Sequence, residues 1–207
     1  MSAWTGPYAQ TLLAFEEATQ AFVALVGQVR GDWDRPGLGV WDLRSLVGHT
    51  ARALVTVTAY LDSPATTEDL TSAAAYLAGS SAVDPELVAE RGRSAGTGLG
   101  DDPAGWVAAA AERAVARVRD ADPEALVETV NGGMRVGSYL PTRTFELVVH
   151  SADVAAALGL DPDVPPAALR EVAELATHVV LEQGRGQDLL LTLTGRADWP
   201  ADLVVIR

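Results

Sequence analysis

Residues 143–153 read Arg-Thr-Phe-Glu-Leu-Val-Val-His-Ser-Ala-Asp. Glu146 and His150 interrupt a stretch that is otherwise apolar and of helical character. A spacing of four places both on one helix face, one turn apart. An ionised carboxylate does not enter apolar surroundings without a partner or a cation. The fold must therefore deliver a counter-charge to this face.

His49 is the natural complement. It lies far upstream in Leu46-Val47-Gly48-His49-Thr50, again on an apolar helical stretch with Ala53 beyond it. Two such helices suit a bundle interior, where metal sites are assembled from facing side chains. His49, Glu146 and His150 together would give a three-ligand site with positions open to water or substrate. Two imidazoles and a carboxylate, without sulfur, suit zinc, nickel, cobalt or ferrous iron, and zinc is the default by ligand type. The competing arrangement is a buried salt bridge between Glu146 and an arginine, with two structural histidines. Asp153, three residues after His150, would accept the second ring N–H of a ligand histidine; a surface aspartate one turn along fits the spacing equally. Arg52, three residues after His49, would steer an anionic substrate, although a surface role is the commoner fate of such an arginine. His178 has no partner at suitable spacing and reads as structural. Trp33 and Trp41 flank the loop before the His49 helix and read as pins for it.

The helices are marked by local signals. Leu12, Phe15, Thr19, Phe22 and Val26 recur at helical spacing within an amphipathic helix from Trp4 to Val29. Gly31–Gly39 breaks it, and Asp42 caps a second helix that runs to about Leu61. Thr67–Leu77 reads as a helix with Thr67 as a cap. Asp84-Pro85-Glu86 opens another. Ser94–Asp102, rich in glycine, reads as a loop. Its Gly96, Gly98 and Gly100 do not make a phosphate loop, since no strand precedes them and no lysine follows. Pro103–Arg119 is a strong helix, and residues 122–136 hold a turn and strand-like structure. Leu140-Pro141 leads into a helix ending at Leu158, with Gly159 as its stop. Residues 160–166 form a proline-rich connector and the expected domain boundary, dividing a bundle at 1–160 from a tail at 161–207. The tail holds a helix over 167–183, a strand at Leu189–Thr194 and a second strand at Leu203–Ile206. It is too small to fold alone and should pack on the bundle or on a second subunit, as in a homodimer.

The 207 residues are 48% hydrophobic, enough for a substantial core. The net charge is −13, and all 15 basic residues are arginine. Such a chain repels phosphate backbones and anionic lipid, so neither nucleic acid nor a membrane is an expected partner. No apolar run approaches the ~18 residues of a membrane span. Met1–Tyr8 lacks the pattern of a signal peptide, and the cytoplasm is the expected location. There is no cysteine, which excludes disulfides, a cysteine nucleophile and thiolate ligation. Any thiol chemistry must use sulfur carried by a small molecule.

Three segments resemble one family. Trp41-Asp42-Leu43-Arg44-Ser45-Leu46-Val47-Gly48-His49 is similar to a motif of a tryptophan followed by a histidine-bearing helix. Residues 143–153 resemble its Arg-x-x-Glu-x-x-x-His-x-x-Asp pattern, and Leu191–Arg196 resembles a C-terminal motif. The family is the mycothiol-dependent maleylpyruvate isomerase group, among the DinB-like metalloenzymes. The resemblance implies a mainly α fold: an up-down four-helix bundle holding a divalent metal through His49, Glu146 and His150, with a small α/β C-terminal appendage, here abbreviated. It implies mycothiol as thiol cofactor, a small electrophile as substrate, and thiol transfer or cis–trans isomerisation as the activity. Arg196 is the nearest candidate to replace a substrate-gripping arginine of the longer C-terminal domain, and is the expected cofactor-binding residue. A non-catalytic ligand-binding module and a thiol-independent metal hydrolase are the alternatives.

Overall fold

A computed structural model describes residues 8–80 and 84–205. Among these residues there are eight helices and one two-stranded sheet: α1 (Tyr8–Val26), α2 (Leu43–Leu61), α3 (Ala73–Ser80), α4 (Pro85–Gly98), α5 (Pro103–Arg119), β1 (Leu126–Thr129), β2 (Gly132–Arg135), α6 (Val136–Leu158), α7 (Pro166–Glu182) and α8 (Gly186–Leu193). The expected beginning of the first helix at Trp4, and Ile206 of the expected last strand, lie outside the described residues.

Four helices close a ring. α1 packs on α6, α6 on α2, α2 on α5, and α5 back on α1. Each sends its apolar stripe inward: Phe15 and Phe22 from α1, Leu46 and Leu54 from α2, Val107 and Ala114 from α5, Leu140 and Leu147 from α6, all buried. The mainly helical, four-helix-bundle class expected from the sequence is the class of the structure. α4 lies along α2, while α7 packs on α1, α3 and α6. No described helix is long and apolar enough to cross a membrane.

Helix starts follow their caps. The Asp42 carboxylate accepts from the Ser45 N–H at 2.7 Å, Asp84 from Glu86 at 2.9 Å, and Asp102 from Gly105 at 3.0 Å. Each satisfies a donor that the first turn leaves unpaired. Gly159, at φ 73°, ends α6 in the left-handed conformation.

Four expectations are corrected. The segment 94–102 is not a loop as a whole, because α4 continues to Gly98. Of its glycines, Gly96 is a packing contact: a Cβ on Gly48 would stand 2.3 Å from Gly96 N, and one on Gly96 would stand 2.9 Å from Ser45 Cα. Backbone meets backbone where α2 crosses α4. Second, the helix expected from Thr67 begins only at Ala73. The preceding segment runs beside the hairpin instead, where Gly133 N–H donates to the Asp69 carboxylate at 2.8 Å and Leu70 N–H to Gly133 O at 3.0 Å. Third, α6 begins at Val136 rather than near Pro141, which lies inside it. Fourth, Leu189–Thr194 is not a strand; residues 186–193 form α8. That run lacks the alternation of a half-buried strand, leucine favours helix, and Asp188 sits in the first turn. Residues 203–205 form no strand either, so helix replaces the strands expected of the tail.

Candidate metal centre

The contact of α2 with α6 brings His49 to Glu146 and His150. One ligand atom from each of the three lies within 4.8 Å of the others. The two imidazoles meet edge to face, with ring centroids 4.8 Å apart. His150 Nε2 stands 3.3 Å from Glu146 Oε2. On the other side of the ring, His150 Nδ1 lies 3.0 Å from Asp153 Oδ2. Asp153 thus meets the histidine rather than solvent alone. With a proton on Nδ1 shared with Asp153, Nε2 turns its lone pair to the space between His49 and Glu146, which is the tautomer a metal ligand needs.

The electrostatics of the three differ. Burial, and then the charge of His150, push His49 down to about 4, so it is neutral near pH 7. Burial opposes ionisation of Glu146, but the His150 hydrogen bond and the Arg143 charge outweigh it and hold the carboxyl low. Burial likewise opposes charge on His150, yet the bonds to Asp153 and Glu146 prevail and raise it to about 9. His150 therefore carries a proton between two carboxylates, a place that a cation can take over. His49 Nδ1 is buried with no hydrogen-bond partner. A neutral imidazole, an ionised carboxylate and an imidazole fixed from behind fit a divalent cation by donor set and by charge.

Trp41 fixes His49. Its ring lies 4.5 Å from that of His49, and its indole N–H donates to Ala89 O on α4 at 2.9 Å. Trp33 stacks under Arg44, whose guanidinium carbon is 5.7 Å from the ring. Both tryptophans pin the loop, as their positions suggested, but Trp41 also braces the site.

Arg143 is a participant that the sequence motif contained and the residue-level reading left unassigned. It lies one turn before Glu146 and is only 8% exposed. Its guanidinium lies over two aromatic faces, 5.0 Å from Tyr139 and 5.4 Å from Tyr76. Its Nε–H donates to Thr142 Oγ1 at 3.0 Å. Among the described residues no carboxylate forms an ion pair with it, so the competing Glu146–arginine salt bridge is not made as a contact. Desolvating an ion costs several kcal/mol, and a desolvated cation–π contact returns about 2 kcal/mol. The aromatic cage alone does not offset that cost.

Arg52 stands one turn beyond His49, and its charge lowers the affinity of His49 for a proton. With Leu87, Glu90, Arg91, Ser94 and Ala95 of α4 it lines a cleft of about 370 Å³. Arg196 lies exposed in the turn after α8, where it donates to Thr194 O at 2.8 Å. His178 is half-buried on α7 and is not one of the three clustered residues.

A family model described as the mycothiol maleylpyruvate isomerase N-terminal domain matches residues 15–155, which hold all three clustered residues and Asp153. The chain belongs to that family. Its described fold is similar to a crystal structure of the mycothiol-dependent maleylpyruvate isomerase, with a TM-score of 0.60 and 18% identity, over 90% of this chain and 76% of that one. At that identity the likeness is one of fold. No match is found among curated proteins. Within the maleylpyruvate isomerase N-terminal family, the matched region supplies the bundle and the cluster, and α7 and α8 follow it.

Proposed function

We propose that this protein is a metal-dependent enzyme that uses mycothiol to act on small electrophiles, by cis–trans isomerisation or by S-transfer. The observation that carries this reading is the convergence of His49, Glu146 and His150 from two helices of a chain that belongs to the maleylpyruvate isomerase N-terminal family. The relative of known structure is named for dependence on mycothiol, and a chain without cysteine must take its thiol from outside.

His49, Glu146 and His150 would hold the ion, zinc by ligand type. A bound zinc ion supplies Lewis acidity, which lowers the pKa of a thiol brought to it. Asp153 would hold a proton on His150 Nδ1, so that the proton displaced by the ion is the one on Nε2. Trp41 holds the His49 ring in place, and the apolar bundle limits access of water. The thiol sulfur attacks one carbon of an activated cis double bond, and the displaced electron pair moves to the conjugated carbonyl. The former double bond rotates, the pair returns, and the carbon–sulfur bond breaks to release the trans isomer and the thiol. Where the adduct instead expels a leaving group, the product is a thioether. Arg52 stands where it would draw an anionic substrate into the cleft, and Arg196 is the candidate contact from the tail for the thiol cofactor.

The test combines elemental analysis with turnover. Purified protein is mixed with mycothiol and either maleylpyruvate or a chlorinated arene. Turnover that requires both metal and thiol supports the proposal. Turnover without thiol identifies a hydrolase, and ligand binding without turnover identifies a binding module.

A further inference from the structure

The charge of this chain is unevenly placed. Residues 183–207 hold three arginines, Arg185, Arg196 and Arg207, against three acids, Asp188, Asp198 and Asp202. The whole net charge of −13 therefore belongs to residues 1–182. The neutral stretch is also apolar on its outside. α8 holds four leucines in eight residues, and none of its residues is buried. Leu190 is 62% exposed and Leu193 70%, and with Gly186 they share one face of the helix. Leu181 of α7, itself exposed, continues that face, since a Cβ on Gly186 would stand 2.6 Å from its Cδ2. Trp199, 59% exposed, follows the turn in which the Thr192 hydroxyl donates to Asp198 O at 3.4 Å.

The back of this unit is fastened. Arg185 pairs with Asp188 and Asp202, and Leu203 is buried. Exposed ion pairs contribute little, however, and a helix of this length is marginal in water without an apolar face to bury. We propose that the α8 face is the contact between two copies of this chain, related by a two-fold axis that sets Leu190 and Leu193 against their own counterparts. Charge selects this occupant. Two acidic bodies repel each other, and contact through a face of no net charge keeps the charged regions apart, where salt screens them. Within residues 183–205, the charges without an ion-pair partner among the described residues are Arg196 and Asp198. They are of opposite sign, and a two-fold axis offers each the counterpart of the other. A helix seated on lipid instead carries basic residues along its polar face, and a charged protein partner calls for a face of opposite charge. Size agrees as well. Leu203 apart, every described residue from 181 to 205 is at least partly exposed, a stretch as long as the ~20–30 residues that a standard interface uses on each side.

The proposal depends on neither metal nor thiol, and its test needs neither. Sedimentation velocity is run on the full chain between ~1 and ~100 µM. Wild type should be dimeric at the upper end. Leu190→Glu/Leu193→Glu should remain monomeric, with dimer affinity reduced at least ~100-fold. Leu169→Glu, at an exposed leucine three turns before Leu181 on α7, should dimerise as wild type does. Added salt should tighten the dimer by screening the acidic bodies. A wild type that is monomeric throughout overturns the proposal, as does a double variant that dimerises like wild type, a dimer lost in Leu169→Glu, or a dimer weakened by salt. Binding of wild type to phosphatidylcholine vesicles, lost in the double variant, would assign the face to lipid and overturn it also. Should the double variant lose helical content by circular dichroism, Leu193→Ser decides in its place.

Discussion

The indole of Trp41 lies against the imidazole of His49, centroids 4.5 Å apart and planes inclined by 33°. The same indole is tied by its N–H to Ala89 on α4, and a Cβ on Gly92 would stand 2.4 Å from it. α4 thus supports a side chain of the candidate metal centre that it does not itself carry. Trp41→Phe should lose about 1 kcal/mol of stability from the missing hydrogen bond. Gly92→Ala drives a methyl group into the ring and should lose about 1–3 kcal/mol, with a greater fall in zinc affinity than Trp41→Phe. Urea denaturation and zinc titration of both variants check this. Equal zinc affinity in all three proteins would separate Trp41 from the site.

Asp153 and the protonation of His150 would set the pH dependence of metal binding at the proposed centre. His150 is held protonated to about 9 in the metal-free protein, so metal displaces a proton throughout the neutral range. Zinc affinity should rise about tenfold per pH unit between roughly 7 and 9 and then level off. The sign for stability is opposite. In the metal-free protein the raised value stabilises the fold fully below the ordinary histidine range, and that contribution is lost as pH rises through about 9. Asp153→Asn should weaken zinc binding by about 10–100-fold and shift the rise in affinity to lower pH. Isothermal titration at fixed ionic strength is the measurement.

A buried acid elsewhere gives a stability prediction independent of metal. Glu171 of α7 is 4% exposed, and neither of its oxygens makes a hydrogen bond of good geometry. Burial raises it to about 7, with the Thr144 and Thr11 hydroxyls relieving part of the cost. The unfolded chain ionises this group at an ordinary, lower pH. Its contribution is therefore fully present below about 4.5 and declines until about 7, a loss of roughly 3 kcal/mol at 1.36 kcal/mol per pH unit. Glu171→Gln should remove that decline. Part of the loss has occurred by pH 5, so denaturant melts of both proteins at pH 5 and pH 8 should show the stability difference between them change by about 2.5 kcal/mol in favour of the glutamine variant at pH 8.

The parts of this molecule legible in its sequence are those specified locally. Asp42, Asp84 and Asp102 announce helix starts through bonds that span two or three residues, and Gly159 announces a stop through its own backbone conformation. Glu146 and His150 share a face because the helix repeat requires it, and Asp153 follows by the same rule. The approach of His49 is a tertiary fact, for which the sequence offered only an apolar context and a resemblance. Gly96 is indistinguishable in sequence from a loop glycine, because its reason is the backbone of Gly48 on another helix. The leucine run at 189–193 is too short for its period to separate strand from helix. Arg143 carried a signal, its position one turn before Glu146, but its packing against Tyr76 and Tyr139 is a contact that spacing does not reveal.

The central claim is that His49, Glu146 and His150 hold one divalent ion between them. It is tested most directly by metal content after dialysis against a trace of zinc, comparing wild type with His49→Ala, with circular dichroism to monitor the helices. The account predicts one zinc per wild-type chain and near none in the variant, with helical content unchanged. Equal zinc in the two proteins, or none in wild type, would contradict it.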